Sequence, residues 1–143
     1  MSSRYAVRQV TWRDARPALA AVRRAVFIEE QHVPEDLEWD EQDDDAVHVL
    51  AEAADGTPIG TGRLIRSGRI GRMAVLAQWR GQGVGRAILT VLLEAARAMG
   101  HSELRLHAQT HAMAFYARAG FAAHGETFME AGIPHREMVL RQG

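Results

Sequence analysis

Hydrophobic and polar positions in the first half of the chain follow two different periods. Strand candidates lie at residues 5–11, 46–53, 59–65 and 69–75. Residues 12–28 repeat their apolar positions at helical spacing instead, at Ala15, Leu19, Val22 and Val26. An Asp-Gly pair and a Ser-Gly pair separate the last three strand candidates, and such pairs are typical of tight turns. These three strands are therefore predicted to form an antiparallel meander.

A longer helix follows the meander. Its apolar stripe consists of Val84, Ile88, Leu92, Ala95 and Met99, and Gly100 is its natural stop. A strand marked by Leu104, Leu106 and Ala108 comes next. If the helix crosses over the sheet, this strand must lie parallel to the strand at 69–75.

The rest of the chain predicts a short helix over about residues 111–119 and two strands that start near Phe121 and His135. This order of elements indicates an α+β fold with a mixed sheet. A chain of 143 residues is long enough for one core, so we expect a single domain spanning residues 1–143.

Composition excludes several classes of protein and site. The chain has no cysteine, which excludes a disulfide scaffold, a thiolate zinc site and a cysteine nucleophile. It has no apolar run of the ~20 residues that span a bilayer, and its first five residues lack the layout of a signal peptide. The expected location is therefore the cytoplasm, without membrane contact. A net charge of −1 gives no general attraction to nucleic acid, and no nucleic-acid partner is expected.

Charge is distributed less evenly than the sum suggests. Residues 29–45 contain ten carboxylates and no arginine, whereas residues 63–141 contain eleven arginines and five acids. The acidic segment is either a solvated loop or one wall of a site that receives a cation.

A glycine-rich turn, residues 80–86, joins the meander to the long helix. Free N–H groups at a helix start bind anions, and Arg80 and Arg86 add donors that suit phosphate oxygens. A Walker loop is excluded because the chain has no lysine. A dinucleotide fingerprint is excluded because its third glycine would fall on Arg86 or Ile88.

Three segments together resemble the GNAT superfamily, the Gcn5-related N-acetyltransferases. The run Arg-Gly-Gln-Gly-Val-Gly at 80–85 is similar to the family's pyrophosphate loop, and Met-Ala-Val at 73–75 resembles the strand that carries the pantetheine. Tyr116, Gly120 and Phe121 match the family's Y-x-x-x-G-F signature. The likeness implies a mostly antiparallel sheet with splayed parallel central strands flanked by helices. The implied cofactor-binding residues are Met73, Ala74, Val75, Arg80, Gly81, Gln82, Gly83, Val84, Gly85, Arg86, Gln109 and Tyr116.

A narrower likeness lies outside these motifs. Residues 26–31, the Trp-Asp-Glu run at 39–41 and the Gly-Ile-Pro-His run at 132–135 resemble the small ElaA/YjcF-type bacterial members of the superfamily. Physiological substrates are poorly defined for that group.

The resemblance implies an N-acetyltransferase that moves an acetyl group directly from acetyl-CoA to a primary amine of a small molecule in a ternary complex. A backbone N–H at about Val75 would stabilise the thioester oxygen, and Tyr116 would protonate the departing sulfur as the catalytic residue. The oligomeric state stays open, and a homodimer is a common arrangement.

The residue that removes the ammonium proton is not assigned by the sequence. The family's usual glutamate on the splayed strand is replaced by Arg72. Candidates for the base are Glu29, Glu30, His48, Glu130 and His135, of which Glu29, Glu30, His48 and His135 are also candidates for binding the acceptor. His48 shares a strand face with Leu50, which favours a histidine in the core over a base. His107 and His111 have the i, i+4 spacing of some metal ligands but lack a third ligand, so no metal site is expected.

Two alternative functions stay open. The absent strand glutamate also fits a module that senses acyl-CoA without turnover. The acceptor could also be the amine of a protein or peptide instead of a small molecule.

Overall fold

A computed structural model describes residues 4–142 and contains one seven-stranded sheet. Residues 1–3 lie outside the described part. They belong to the five-residue start that lacks the layout of a signal peptide. The strands are β1 (Tyr5–Val10), β2 (Val47–Ala53), β3 (Pro58–Leu64), β4 (Arg69–Val75), β5 (Glu103–Gln109), β6 (Ala122–Glu130) and β7 (Ile133–Arg141). Each predicted strand is present.

The helices are α1 (Trp12–Arg23), α2 (Glu35–Glu38), α3 (Val84–Ala98) and α4 (Met113–Arg118). Short 3₁₀ turns occupy Glu41–Asp44, Ala77–Trp79 and Thr110–Ala112. Among residues 4–142, no helix has the length and apolar character that crossing a membrane requires.

The strands are ordered β1-β2-β3-β4-β5-β7-β6, and every neighbouring pair is antiparallel except β4 and β5. Helix α3 makes the crossover between these two parallel strands, as the sequence predicts. Only two register pairs join them, Arg69 with Arg105 and Ile70 with Leu106. Beyond these pairs the strands separate, so the α+β fold with splayed parallel central strands is confirmed.

The two faces of the sheet carry different helices. Leu50 and Ala74 pack on the face covered by α1, whereas Val49 and Ala51 belong to the large core with α3. Gly60 and Gly62 let α3 approach closely, because a Cβ at Gly62 would lie 2.7 Å from Ile88. Both faces of β2 are therefore buried.

Two details differ from the sequence prediction. Helix α1 does not continue to residue 28 as an α-helix but changes at Arg24 into a π-helical segment, Arg24–Glu30. Its wider turn is closed by the Gln31 N–H, which donates to the Val26 carbonyl, and such segments often occur at functional sites. Met99, predicted for the apolar stripe of α3, is 45% exposed, and Ala96 takes the buried position.

Candidate functional site

The separation of β4 and β5 opens a gap in the sheet. The Leu76 N–H donates to Ile59 on β3. Because successive residues of a strand direct their backbone groups to opposite sides, the N–H and C=O of Val75 point towards the gap. A strand N–H that points away from its neighbouring strand is available to a ligand.

Strand β4 also contains a bulge. Arg63 pairs with Gly71 and Thr61 with Ala74, so β4 has one residue more than β3. Arg72 takes the left-handed conformation, at φ +52°, which costs energy for a residue with a side chain. The Thr61 hydroxyl donates to the Arg72 carbonyl at 3.0 Å, which holds the bulge in place.

On one side of the gap lies a groove of about 740 Å³, here called the α3 groove. It is lined by Trp79, Arg80, Gly81, Gly83, Gly85, Arg86, Phe115 and Arg118, among others. Gly81 and Gly83 have φ values of +78° and +86°, which glycine adopts without strain. Gly83 begins α3 without a side-chain cap. The first N–H groups of this 15-residue helix are thus open to an anion, next to two arginines.

On the other side lies a groove of about 1030 Å³, here called the α1 groove. It shares Val75 and Arg80 with the α3 groove, so the two grooves meet at the end of β4. Tyr116 belongs to α4, yet it lines the α1 groove. Burial raises the pKa of the Tyr116 hydroxyl. The phenol therefore keeps its proton throughout the physiological pH range.

Arg80 ties the two grooves together. Its Nε donates to the Val75 carbonyl at 2.9 Å, and its two terminal nitrogens donate to both oxygens of Glu30, each at 2.7 Å. The hydrogen bonds and the opposite charges of Arg80 and Glu30 lower the pKa of Glu30 and raise the pKa of Arg80. Because Glu30 ends the π-helical segment, the pair fixes that segment against the glycine loop.

A buried ionic network forms the floor of the α1 groove. Arg23, only 1% exposed, donates to Glu38 through Nε and to Asp43 through Nη1, each at 2.8 Å. Arg63 donates to Asp40 at 2.8 Å and to Asp43 at 3.0 Å.

Arg72 completes this network on the groove side. Its Nη2 donates to the Glu38 carbonyl at 2.9 Å and to Asp40 at 3.2 Å. Burial raises the pKa of Glu38, although Arg72 and Arg23 oppose the shift. Burial also acts to raise the pKa of Asp40, but the Arg63 hydrogen bond and the charges of Arg63 and Arg72 outweigh it, so the pKa is lowered. We define the ionic network as Arg23, Glu38, Asp40, Asp43, Arg63 and Arg72.

A second polar cluster lies on the opposite wall of the α1 groove. His107 Nδ1 is 3.0 Å from one oxygen of Glu130, and His135 Nε2 is 3.7 Å from the other. All three residues line the groove. Beside them, Gln109 and Gln31 exchange amide hydrogen bonds of 2.9 and 3.3 Å across the gap. We call His107, Glu130 and His135 the carboxylate–imidazole cluster.

The structure brings most of the candidate residues to these grooves. Met73, Ala74, Gln109, Tyr116, Glu30 and His135 line the α1 groove; Gly81, Gly83, Val84, Gly85 and Arg86 line the α3 groove; Val75 and Arg80 line both. Gln82 lies in the loop, but its side chain folds back to the Gln78 carbonyl at 3.1 Å.

Two candidate residues lie elsewhere. Glu29 is exposed and lines neither groove. His48 is 1% exposed and lies 2.9 Å from the Asp43 carbonyl. Its neighbours Leu50 and Trp12 are core residues. Neither His48 nor Glu29 lines a groove, so the grooves do not favour these two residues for binding the acceptor.

Sequence reasoning missed the functional context of several residues. Arg23 and Arg63 carried no motif, and nothing in their neighbourhood signals a buried cation. The sequence indicates a role for His107 only as a metal ligand, together with His111. In the structure the two histidines contact different partners, since His111 Nε2 lies 2.6 Å from Gln109 Oε1.

Comparison with known proteins agrees with this geometry. The family model of the acetyltransferase (GNAT) domain matches residues 9–142. YjcF of Bacillus subtilis, named an uncharacterized N-acetyltransferase, is 38% identical over 122 residues, which cover 82% of this chain and 86% of YjcF. Protein ElaA of Escherichia coli is 32% identical over 126 residues, which cover 82% of each chain.

Solved structures show the same likeness. The crystal structure of Escherichia coli ElaA superposes with a TM-score of 0.85 at 27% identity, covering 96% of this chain and 99% of ElaA. An acyl-CoA N-acyltransferase from Pseudomonas aeruginosa superposes with a TM-score of 0.83 at 32% identity, covering 95% of this chain and 99% of that one. The chain therefore belongs to the GNAT family of acetyltransferases, and within it resembles the small bacterial proteins YjcF and ElaA.

Proposed function

We propose that the protein transfers an acetyl group from acetyl-CoA directly to a primary amine of a small molecule, in a ternary complex. One observation carries this proposal: two grooves, one beside α3 and one beside the π-helical segment, meet at Val75, where β4 and β5 separate. A donor in one groove and an acceptor in the other can then react through the gap without an acyl-enzyme.

The α3 groove suits the pyrophosphate of acetyl-CoA. The uncapped N-terminus of α3 supplies N–H groups, and Arg80 and Arg86 supply charge-assisted donors. Gly81 leaves open space, since a Cβ built there would meet no atom within 4 Å. The pantetheine would then run along residues 73–75 into the gap, with Gln109 on the opposite strand.

Two groups at the gap suit the transfer step. The Val75 N–H points to where the thioester oxygen would gain negative charge, and a fixed donor there stabilises the transition state. Tyr116 is buried and protonated, so it can donate its proton to the departing thiolate.

The α1 groove suits a small cationic acceptor. Its volume of about 1030 Å³ lies near the upper end of small-molecule sites. Of the carboxylates that line it, Glu130 has a half-exposed side chain and no arginine partner, so it can attract an ammonium group.

Cofactor binding is tested first by thermal unfolding with acetyl-CoA, CoA and NADH. A ligand at about 100 times its Kd adds ~2.7 kcal/mol, which for a domain of this size raises Tm by several degrees. We expect a shift with acetyl-CoA and CoA but not with NADH. No shift at millimolar acetyl-CoA would contradict the proposal.

Turnover is tested by the release of CoA thiol across a panel of small primary amines, with DTNB as the reporter. The chain has no cysteine, so the protein gives no background. We expect Tyr116→Phe to lower kcat by about 10²–10⁴-fold and to keep the acetyl-CoA shift in Tm.

Tyr5→Phe is the matched control, because it also removes one tyrosine hydroxyl. The Tyr5 hydroxyl lies at the glycine loop, where it donates to the Gln82 carbonyl. We expect this variant to change the KM for acetyl-CoA and not kcat. Binding without turnover of any amine would favour a sensor of acyl-CoA, and turnover of peptides alone would move the acceptor to a protein amine.

A further inference from the structure

We infer that His107, oriented by Glu130, is the base that takes the proton from the acceptor ammonium in the α1 groove. This inference rests on the proposed function. It assigns the role of base, which the family's usual strand glutamate would take where this chain has Arg72. That arginine cannot serve as the base, because a guanidinium stays protonated and has no lone pair to accept a proton.

His107 stands at the root of the gap. The last register pair between β4 and β5 joins Ile70 to Leu106, and His107 follows directly on β5. Its side chain is about one third exposed and lines the same groove as Tyr116. A base that lines this groove borders the space that the acceptor ammonium would occupy, and proton transfer needs a direct contact or one bridging water.

The hydrogen bond to Glu130 decides which nitrogen of His107 is basic. A carboxylate only accepts, so the 3.0 Å contact places the proton of the neutral ring on Nδ1. The lone pair is then on Nε2. Glu130 also stabilises the imidazolium that forms when Nε2 takes a proton.

His135 lies near the second oxygen of the same carboxylate. The Ile133 carbonyl can only accept, so Nδ1 of His135 donates to it at 2.7 Å. Nε2 of His135 is 3.7 Å from the second oxygen of Glu130, which is beyond hydrogen-bond distance. Phe128 separates the two imidazoles, with an edge contact to His107 and a stacked contact to His135. Glu130 is thus the positioning residue, and the reacting atom is Nε2 of His107.

Other charges also face His107. Glu137 on β7 is its partner in the register, and Arg105 on β5 donates to Glu137 at 3.2 Å. Arg69 on β4 also acts on Glu137 and helps to lower its pKa. Since Glu137 is engaged by arginine, Glu130 is the carboxylate left to serve His107.

The protons of the reaction balance with this assignment. An N–H bond of the ammonium breaks, its proton bonds to Nε2 of His107, and the freed lone pair attacks the thioester carbon. The nitrogen of the tetrahedral adduct loses a second proton as the adduct collapses. In the same step the C–S bond breaks, the thiolate takes the proton of Tyr116, and the second proton restores the phenol. The products are the amide, CoA thiol and one proton that leaves from His107.

The test is the pH dependence of kcat/KM for an amine in the wild type and in His107→Gln. General base catalysis contributes about 10²–10⁴-fold, and we expect a loss in this range at neutral pH. The loss should shrink as pH rises, because the free amine then needs no base. Added imidazole should restore part of the activity, and the Tm shift with acetyl-CoA should be unchanged.

Glu130 is tested in the same assay. Glu130→Gln removes the charge and should move the low-pH limb of the profile, whereas Glu130→Asp should restore part of the wild-type profile. A purely structural role would not give this pattern. His124→Gln is the matched control, because His124 is largely exposed, 3.7 Å from Glu137, and outside both grooves.

The outcomes separate the two proposals. If the wild type acetylates amines and His107→Gln keeps the same kcat and the same pH profile, the assignment of His107 is overturned and the proposed function stands. If the wild type binds acetyl-CoA but acetylates no amine, the proposed function fails and the assignment falls with it.

Discussion

On the α3 side of the sheet the chain packs apolar side chains against a long helix, whereas on the α1 side it buries arginines and carboxylates. The α3 core contains Ile88, Leu89 and Leu92 facing Val49 and Ala51. Its stability comes from apolar area removed from water, and this term has no strict geometry. Such a core is suited to hold the glycine loop at the start of α3.

On the α1 side, the ionic network connects the elements, as apolar packing does on the α3 side. Segment 35–45 contains few apolar residues, and Leu37 is exposed. The network joins this segment to α1, β3 and the bulge of β4. Burying charges is costly, and a buried ion pair often stabilises no more than apolar residues of the same volume. Its advantage is directional, because each contact fixes one geometry of the groove floor.

The largest effect should come from removing one charge of the network. Arg23→Met leaves Glu38 and Asp43 buried with one arginine partner fewer, and breaking a buried ion pair costs about 3–5 kcal/mol in the free energy of unfolding. Arg24→Met is the matched control at the next residue. Arg24 is half exposed and pairs with Glu35 at the surface, so about 1 kcal/mol or less is expected. Urea denaturation measures both, and equal losses would contradict the distinction.

The α3 side should respond to volume instead of charge. A Cβ at Gly62 would lie 2.7 Å from Ile88 and 2.8 Å from Leu92, so Gly62→Ala must push α3 away from β3. Overpacking of this kind costs about 1–3 kcal/mol. A Cβ at Gly71 would meet nothing within 4 Å, so Gly71→Ala should be neutral. If both substitutions leave the urea midpoint unchanged, the close approach of α3 is not needed.

The contrast between the two sides also explains what the sequence could predict. The α3 side depends on local patterns: the stripe that starts at Val84, the glycines before it and Gly100 after it are all contiguous in the chain. The parallel pair follows from that helix as a crossover. The fold class and the glycine loop at the start of α3 were therefore predictable.

The α1 side depends on contacts between distant residues. Arg23 and Glu38 are 15 positions apart, and Arg72 and Glu38 are 34 apart. In the sequence the acidic segment was equally compatible with a solvated loop. His107 and Glu130 lie 23 positions apart on strands that are not neighbours in the sheet. No local period reports such a contact, so the base could not be assigned from the sequence.

The smallest effect should be a pH dependence of stability at the edge of the ionic network. His48 lies 3.9 Å from the Asp43 carboxylate and stacks near Trp12. Burial lowers the pKa of His48 below its ordinary 6.5, against the opposing effect of Asp43. Below pH 6.5 the unfolded chain therefore binds a proton that the folded protein does not, so stability falls as pH falls through this range.

His48→Gln keeps an amide that can donate to the Asp43 carbonyl but cannot titrate. The difference in unfolding free energy between wild type and variant should then change by at most about 1.4 kcal/mol per pH unit. The change should occur only below pH 6.5, where the wild type loses stability relative to the variant. Subtracting the two proteins removes the contributions of the other histidines and of Glu38, whose raised pKa acts in the opposite direction at lower pH. A difference that stays constant between pH 8 and pH 5 would mean that His48 takes up its proton in the fold as readily as in the unfolded chain. The ionic network would then tolerate a further charge, and its geometry would be less strictly determined than its hydrogen bonds indicate.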